Sequence, residues 1–373
     1  MKSILIISQH VFPKQTPRAH RTTELAIELS RQGYDVTVYA VLGNYDYKVF
    51  QKEYKFKVKN IKLFWQFEPY NSDIKVKRYF IDKVLSKLLQ GKLEFPNIEF
   101  YFRISKIIKT EKNFNALISI ADPHMIHWGC ARAKDKYPEK FPKKWIADCG
   151  DPYYDNGNSE SINKRFKKME YFFCKNTNFI TVPVPSAIKS YFNKYESKIK
   201  IIPQGFRFQV AEKIKLKPIN AIPTFAYCGN FFSGYRDPTI FFEFLLKTKF
   251  NFKFIIYTDH TSLIAKYLPL LKVKIEIRPT IFRKDMIKEI KKMDFLVNIE
   301  NINLPGQLPS KLIDYAISNR PILSINPGNF KSENITEFFN GNYQNRFVVD
   351  NLEDYRIEGV TTKFIELINF KDD

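Results

Sequence analysis

The sequence predicts an α/β fold of two successive doubly wound parallel sheets. Three observations carry this. Apolar runs of strand length recur along the chain, segments with helical apolar spacing lie between them, and near residue 203 the texture breaks before a second such series begins. Buried strands alternating with helices are the pattern of parallel βα units. A length of 373 residues suits two domains, at roughly 100–200 residues each.

The elements follow in order. Ser3–Ser8 is a continuous apolar run suited to a buried parallel strand. The polar loop Gln9–Thr16 leads to a helix over Pro17–Gln32, with Ala19, Leu25, Ile27 and Leu29 at helical spacing and Gly33 at the stop. Val36–Val41 completes a right-handed βαβ unit. Further strands are expected at Ile61–Phe67, Ala116–Ile120, Trp145–Ala147, Phe179–Val182 and Lys200–Ile202. Phe80, Ile81, Val84, Leu85, Leu88 and Leu89 form a helical stripe with Lys83 and Lys87 opposite. A segment with Lys and Pro running to Pro223 reads as a linker. The second series places strands at Phe225–Cys228, Phe252–Tyr257, Val273–Ile277, Phe295–Ile299, Ile322–Ile325 and Phe347–Val349, with helices at Thr239–Leu246 and Lys284–Lys292. The expected organisation is a first domain over 1–203, a second over 204–352 and a terminal segment, 353–373, carrying a helix at Thr361–Phe370.

Composition narrows the function. Hydrophobic residues at 44% and aromatics at 16% are enough for packed cores and exclude wholesale disorder. The four cysteines form no CxxC pair, so neither a disulfide framework nor a zinc site is expected. Ile4–Ile7 is too short for a signal-peptide core, and no apolar stretch is long enough to span a membrane, so a cytoplasmic location is expected. The net charge of +21 calls for an anionic partner. It is concentrated in residues 1–200, which hold 36 Lys and Arg against 20 Asp and Glu, a net of +16; the remainder has 24 against 19, a net of +5. No nucleic-acid motif accompanies the charge, and aromatics are not interleaved with it in one module, so nucleic acid is not the expected partner.

In open α/β sheets ligands bind beyond the carboxyl ends of strands. Two such loops stand out in the second half. In Tyr227–Pro238, Gly229 allows close backbone approach to a ligand, Asn230 follows it, and Arg236 can pair with phosphate oxygens. In Leu304–Tyr315, Ser310 is placed to cap a helix whose free N–H groups bind phosphate, Lys311 adds a point charge, and Asp314 can accept ribose hydroxyls.

Pro309-Ser310-Lys311-Leu312-Ile313-Asp314-Tyr315, followed by Arg320-Pro321-Ile322-Leu323, closely resembles the donor-site helix of retaining glycosyltransferases of the GT-B fold, family 4. Cys228–Pro238 is similar to the diphosphate loop of that family, and Trp145–Tyr153 to an Asp-x-x-Asp-Pro-aromatic element of a bacterial surface-polysaccharide branch. The first helix, ending in Arg31–Val38, fits the usual opening of these enzymes. The resemblance implies two Rossmann-like domains facing a cleft, with a nucleotide-sugar donor on the second and a final helix returning to the first. Two departures matter. Many members carry two Glu eight residues apart on the donor loop; here Asp314 stands at the second position and Gly306 at the first, leaving sugar contacts to backbone groups or Gln307. Asn230 stands where Arg is common, leaving Arg236 to face the diphosphate.

In the first half, Lys14, Arg18 and Arg21 follow the first strand and are candidates for an acceptor phosphate. His124, after a strand end, is a candidate active-site group. Asp148 and Asp151, at another strand end, can orient acceptor hydroxyls or act as a base. These three are the catalytic candidates. The resemblance implies transfer of a sugar from a nucleoside diphosphate to a lipid-linked glycan, without an obligatory metal. It also implies a lipid-linked acceptor at the inner face of the cytoplasmic membrane. The apolar stripe at Phe80–Leu89, with Lys75, Lys77, Arg78, Lys83 and Lys87 beside it, reads as a core-facing stripe with a solvated basic face, or as a surface that docks on anionic lipid without insertion. A sugar-nucleotide epimerase of the same fold is the alternative.

Overall fold

The computed structural model describes residues 2–64, 89, 93–111, 113–150, 153, 164–208, 216–302 and 309–371. The stripe beginning at Phe80 and its neighbouring lysines lie outside them, as do Asp151, Gly306 and Gln307. The chain divides into two compact units, Met1–Arg207 with Asp354–Asp373, and Phe208–Glu353.

The first unit holds a seven-stranded, all-parallel sheet of order β3-β2-β1-β4-β5-β6-β7. Its strands are β1 (Ser3–Ser8), β2 (Asp35–Ala40), β3 (Lys57–Asn60), β4 (Ala116–Ala121), β5 (Lys144–Cys149), β6 (Phe179–Val182) and β7 (Ile199–Ile201). The helices are α1 (Pro17–Arg31), α2 (Tyr47–Tyr54), α3 (Ile98–Thr110), α4 (Met125–Lys136) and α5 (Lys164–Asn176). Central strand β4 is buried at all six positions, which is why it reads as one apolar run. Alternate residues serve opposite faces: Leu5 and Ile7 join the core beneath α3, α4 and α5, whereas Ile4 and Ile6 join the core beneath α1.

The third strand is displaced from its expected position. It pairs at Lys57–Asn60 rather than Ile61–Phe67. At this sheet edge Val58 is half-buried while Lys57, Lys59 and Asn60 are exposed, a short basic edge that discourages pairing with another chain. Ile61 instead plugs the core with 1% exposure after its N–H bonds to the Ala40 carbonyl.

The second unit holds a five-stranded parallel sheet of order β10-β9-β8-β11-β12. Its strands are β8 (Thr224–Cys228), β9 (Lys253–Tyr257), β10 (Ile275–Arg278), β11 (Phe295–Ile299) and β12 (Ile322–Ile325). Helices α6 (Thr239–Lys247), α7 (Arg283–Ile290), α8 (Ser310–Ile317) and α9 (Ser332–Phe339) cover it. Phe225 and Tyr227 of β8 pack in an aromatic core with Phe241, Phe254, Phe295 and Phe338, and the intervening Ala226 faces Leu312 and Ile290. The expected strand at Phe347–Val349 is reduced to one antiparallel bridge, Ile322 to Phe347, so the sheet ends at β12.

The last helix, α10 (Ile357–Asn369), packs on α1 of the first unit, and Ile357, Val360 and Phe364 are fully buried in its core. Its entry is fixed by backbone pairing with the segment that leaves the unit: Phe206 N–H bonds to the Tyr355 carbonyl, and Ile357 N–H to the Phe206 carbonyl. Gly205 lies so close that a Cβ there would sit 2.6 Å from Ile357. Among the described residues no helix is long and apolar enough to cross a membrane.

At the carboxyl end of the first sheet lies a buried ion pair. Arg21 Nε and Nη2 donate to the Asp148 carboxylate at 3.0 and 2.9 Å, and Thr181 Oγ1 adds a third bond at 2.7 Å. Arg21 Nη1 donates to the Pro203 carbonyl at 2.7 Å, and the guanidinium lies 4.9 Å from the Phe364 ring centroid. Burial alone would raise the Asp148 pKa; the attraction of Arg21 and its hydrogen bonds overcome this and hold it below the ordinary value. A depressed folded-state pKa contributes stability above the unfolded value that is lost as pH falls through the folded one. Removing one partner of a buried pair costs on the order of 3–5 kcal/mol. Asp148→Asn is therefore expected to lower stability by about that amount near neutral pH. It should also flatten the acid limb of the stability profile, measured by urea unfolding between neutral and acidic pH.

Candidate functional site

The second unit gathers positive charge where β8 and β11 end. Tyr227, the penultimate residue of β8, supplies the platform. The Lys311 Nζ lies 4.1 Å from its ring centroid, Phe231 stacks on it at 4.4 Å, and its hydroxyl donates to the Asn230 carbonyl at 3.0 Å. The strand then turns through Gly229, whose φ of +123° favours glycine and whose Cβ side is open space. Asn230 Oδ1 accepts from Thr258 at 2.9 Å, tying this loop to the end of β9.

Arg236 closes a tight loop in which Phe232 and Arg236 exchange backbone hydrogen bonds. Its Nε donates to Asn301 Oδ1 at 3.0 Å, and Ile302 N–H bonds to the Tyr235 carbonyl at 2.7 Å. The loops after β8 and β11 are thus laced together, with the guanidinium held at the lacing point. Asn301 is a contact that motif reading missed; its position just past β11 was the available signal.

Lys311 is the least satisfied group of this cluster. Its ammonium is shielded from solvent and has no hydrogen-bond partner among the described residues. Burial, reinforced by Arg236, pushes its pKa well below the ordinary lysine value. A buried cation without an anion is costly unless something supplies the missing charge. The helix start beside it is likewise open. The structure corrects the expectation that Ser310 caps α8: Ser310 is the first helical residue, and Pro309, in the capping position, offers no side-chain acceptor. By contrast Thr16 caps α1, accepting from Ala19 N–H at 3.2 Å. N–H groups without a side-chain cap, the positive end of the helix dipole and the Arg236 and Lys311 side chains thus lie together, groups whose chemistry suits an anion.

Four residues after the start of α8, Asp314 is ion-paired with Arg283, whose Nη2 and Nε reach Oδ1 at 2.6 and 2.7 Å. Burial raises its pKa, and Arg283 opposes the rise. Leu312 is 2% exposed and anchors the helix in the core, leaving Lys311 and Asp314 for polar contacts.

The first-unit candidates divide by accessibility. Lys14 is half-buried in the loop after β1. Arg18 is also half-buried; its Nη1 lies 3.6 Å from Asp148, and its guanidinium covers Gly150 so closely that a Cβ there would meet Cζ at 2.4 Å. Arg21, expected to face an acceptor phosphate, is 2% exposed, with its donors turned to Asp148 and backbone carbonyls. Both Asp148 oxygens are occupied, by Arg21 and Thr181. Proline, arginine and aspartate spacing could not reveal this, because the partners lie more than a hundred residues apart.

His124 precedes α4 with 7% exposure. Its Nδ1 is 3.9 Å from Glu170 Oε1, and its ring packs against Tyr153 at 5.2 Å. Glu170 accepts from the Trp128 indole at 2.8 Å, and burial lifts its pKa to about 7. Sequence reading passed over Glu170 because a lone Glu in a basic helix carries no motif. His127 bridges Ser119 and Cys149 at 2.8 and 3.3 Å, fully buried, and burial holds its pKa well below the ordinary value. It serves the core.

The unpaired Lys311 yields a test. Lys311→Met keeps the stem and its contact with Tyr227 while removing a buried charge. It is expected to raise the melting temperature without ligand, at about 2–4 °C per kcal/mol for a chain of this class, and to abolish stabilisation by pyrophosphate. In the wild type, pyrophosphate affinity should fall as pH rises through the depressed Lys311 pKa, since the anion binds the protonated form. Differential scanning fluorimetry across pH reads all three effects; a variant that is less stable without ligand and still responds to pyrophosphate contradicts the assignment.

The chain matches no protein-family model and no curated protein sequence. Its fold has solved counterparts. A glycosyltransferase from Rickettsia africae ESF-5 superposes with TM-score 0.65 at 13% identity, over 98% of each chain. The Anabaena protein HepE in complex with UDP gives 0.56 at 10% identity, over 98% of this chain and 95% of that one. A UDP-GlcNAc 2-epimerase from Neisseria meningitidis bound to UDP-GlcNAc also gives 0.56, at 9% identity over 99% of both chains. At such identities the likeness is one of fold, the α/β architecture of two Rossmann-like units called GT-B.

Proposed function

We propose that this chain is a glycosyltransferase that moves a sugar from a nucleoside-diphosphate donor to a hydroxyl of a glycan acceptor. The observation that carries the reading is the buried Lys311 ammonium without an anion, beside Arg236 and the uncapped start of α8. A diphosphate supplies the missing charge. In the transition state the leaving nucleoside diphosphate gains negative charge, and fixed cations and N–H dipoles aimed at it lower the barrier without reorganisation. These groups do the work for which other transferases bind a metal. Asp314 then faces the ribose, with Gly229 and Asn230 lining the diphosphate.

The finer reading has four parts: retention of anomeric configuration as in family 4, a lipid-linked acceptor for surface-polysaccharide synthesis (capsule, O-antigen or exopolysaccharide), acceptor binding on the first unit, and peripheral contact with an anionic membrane. The sequence resemblance supports the first two. Lys14, Arg18, His124 and Asp151 are the acceptor-side groups; Asp148 positions Arg18 and Arg21. The +16 of residues 1–200 supports the membrane contact.

A second reading, a sugar-nucleotide epimerase, is favoured by the fold it shares with the Neisseria enzyme. Product analysis separates the two: an epimerase converts UDP-GlcNAc without acceptor, whereas a transferase requires one. UDP or GDP and the matching sugar nucleotides are expected to raise the melting temperature by mass action. Arg236→Ala and Lys311→Ala are expected to lower acceptor-dependent turnover by roughly 10²-fold. Absence of stabilisation by any nucleotide diphosphate overturns the reading. The membrane component is checked by co-sedimentation: binding to phosphatidylglycerol vesicles but not neutral ones, reversed at 1 M salt, where the Debye length is about 3 Å.

A further inference from the structure

Beyond the anion site, the carboxyl ends of β11 and β12 enclose a second cavity of about 210 Å³. It is smaller than the roughly 300–1,000 Å³ of pockets for drug-sized ligands, so its scale is one small ring rather than a nucleotide. Its floor is apolar, with Leu323, Ile325 and Ile335; its walls are Glu300, Ser324, Asn326, Asn329, Lys331 and Asn334.

The walls are organised. Asn298, 2% exposed, donates to Ser324 Oγ at 2.8 Å, and Ser324 donates to Glu300 Oε1 at 2.9 Å. This chain fixes the carboxylate through one oxygen. Its base carries a buried acceptor, Asn298 Oδ1, with no partner. Asn326 Oδ1 accepts from Gly328 and Asn329 N–H at 2.9 and 3.1 Å, which shapes the loop and leaves its amide group as donor. Among the described residues Glu300 makes no ion pair, and Lys331 is the one cation lining the cavity. The rest of the lining supplies amide and hydroxyl donors and acceptors around an apolar floor. Such a surface matches vicinal hydroxyls, each of which donates and accepts. A phosphate would meet the Glu300 carboxylate.

We propose that this cavity is a subsite for a neutral, hydroxyl-rich sugar ring. Glu300 and Asn301 are consecutive, and Asn301 holds Arg236, so the ring would lie next to the anion site. The same chemistry fits two sources: the sugar of a donor, or a sugar of the acceptor glycan. The subsite itself does not rest on the nucleotide reading, since sugar binding is measured without nucleotide.

The experiment is saturation-transfer NMR on the full chain with methyl α-glucopyranoside, methyl α-galactopyranoside and the methyl glycoside of N-acetylglucosamine. At least one is expected to receive saturation. Glu300→Gln, which keeps shape and loses the charged acceptor, is expected to weaken binding about tenfold, the scale of one hydrogen bond to a charged group. Asn334→Leu, on the rim of α9, is expected to block the cavity and remove the signal. The pyrophosphate-induced thermal shift should stay unchanged in both, which also verifies folding. Displacement of the glycoside by UDP-glucose but not UDP assigns the ring to the donor; persistence assigns it to the glycan. No saturation of any probe, or equal signal in both folded variants, overturns the proposal.

Discussion

The Arg21–Asp148 pair is the interaction on which the first unit depends. One guanidinium joins α1, the end of β5, the chain leaving at Ile202–Pro203 and the ring of Phe364 from the last helix. Thr181 brings β6 into the same carboxylate. Segments far apart in sequence are thereby held at one end of one sheet, where a charge pair must be matched bond for bond or pay its desolvation. Arg18 and Gly150, at the solvent-facing edge of this cluster, inherit their positions from it. The start of α1 and the end of β5 are therefore not independent; both are set by a buried electrostatic contact beneath them.

The second unit works by the opposite device. Its aromatic core around Phe225 is apolar and well packed, and the tension is concentrated in one lysine above it. Tyr227 gives the Lys311 stem a surface and its ammonium a weak partner, but not an anion. Stability is sacrificed at a single point, and a ligand bearing two negative charges is the natural remedy. α8 begins without a side-chain cap, as do α3, α4, α6, α7, α9 and α10.

The fold does not decide the chemistry. A transferase and an epimerase share it with this chain at similar TM-scores. What distinguishes outcomes on one scaffold is which side chains the strand-end loops supply. Here the neighbouring loops supply, on one side, the Arg236–Asn301 clamp and, on the other, the amide-lined cavity around Glu300. Both are built from residues just past strand ends, where side chains are free to converge because the sheet no longer dictates their direction.

The strands of both sheets were legible because a strand buried on both faces must be apolar throughout. Ser3–Ser8, Ala116–Ala121 and Phe295–Ile299 therefore announce themselves. The failures have local causes. The edge strand Lys57–Asn60 is half solvated and carries no such run, so the apolar residues just beyond it drew the assignment. Phe347 is partly buried against the core and pairs at a single bridge only. Gly229, Arg236 and Lys311 stood out in the sequence because they lie in strand-end loops, where the structure also places them. That Lys311 lacks a partner, that Ser310 lies inside its helix, and that Arg21 is spent on Asp148 were not visible. The sequence by itself determined which segments become strands and which loops carry charge, because burial periodicity and turn chemistry are local. Only the tertiary structure decided which charges are paired and which are left waiting for a ligand, because that depends on groups brought together from opposite ends of the chain.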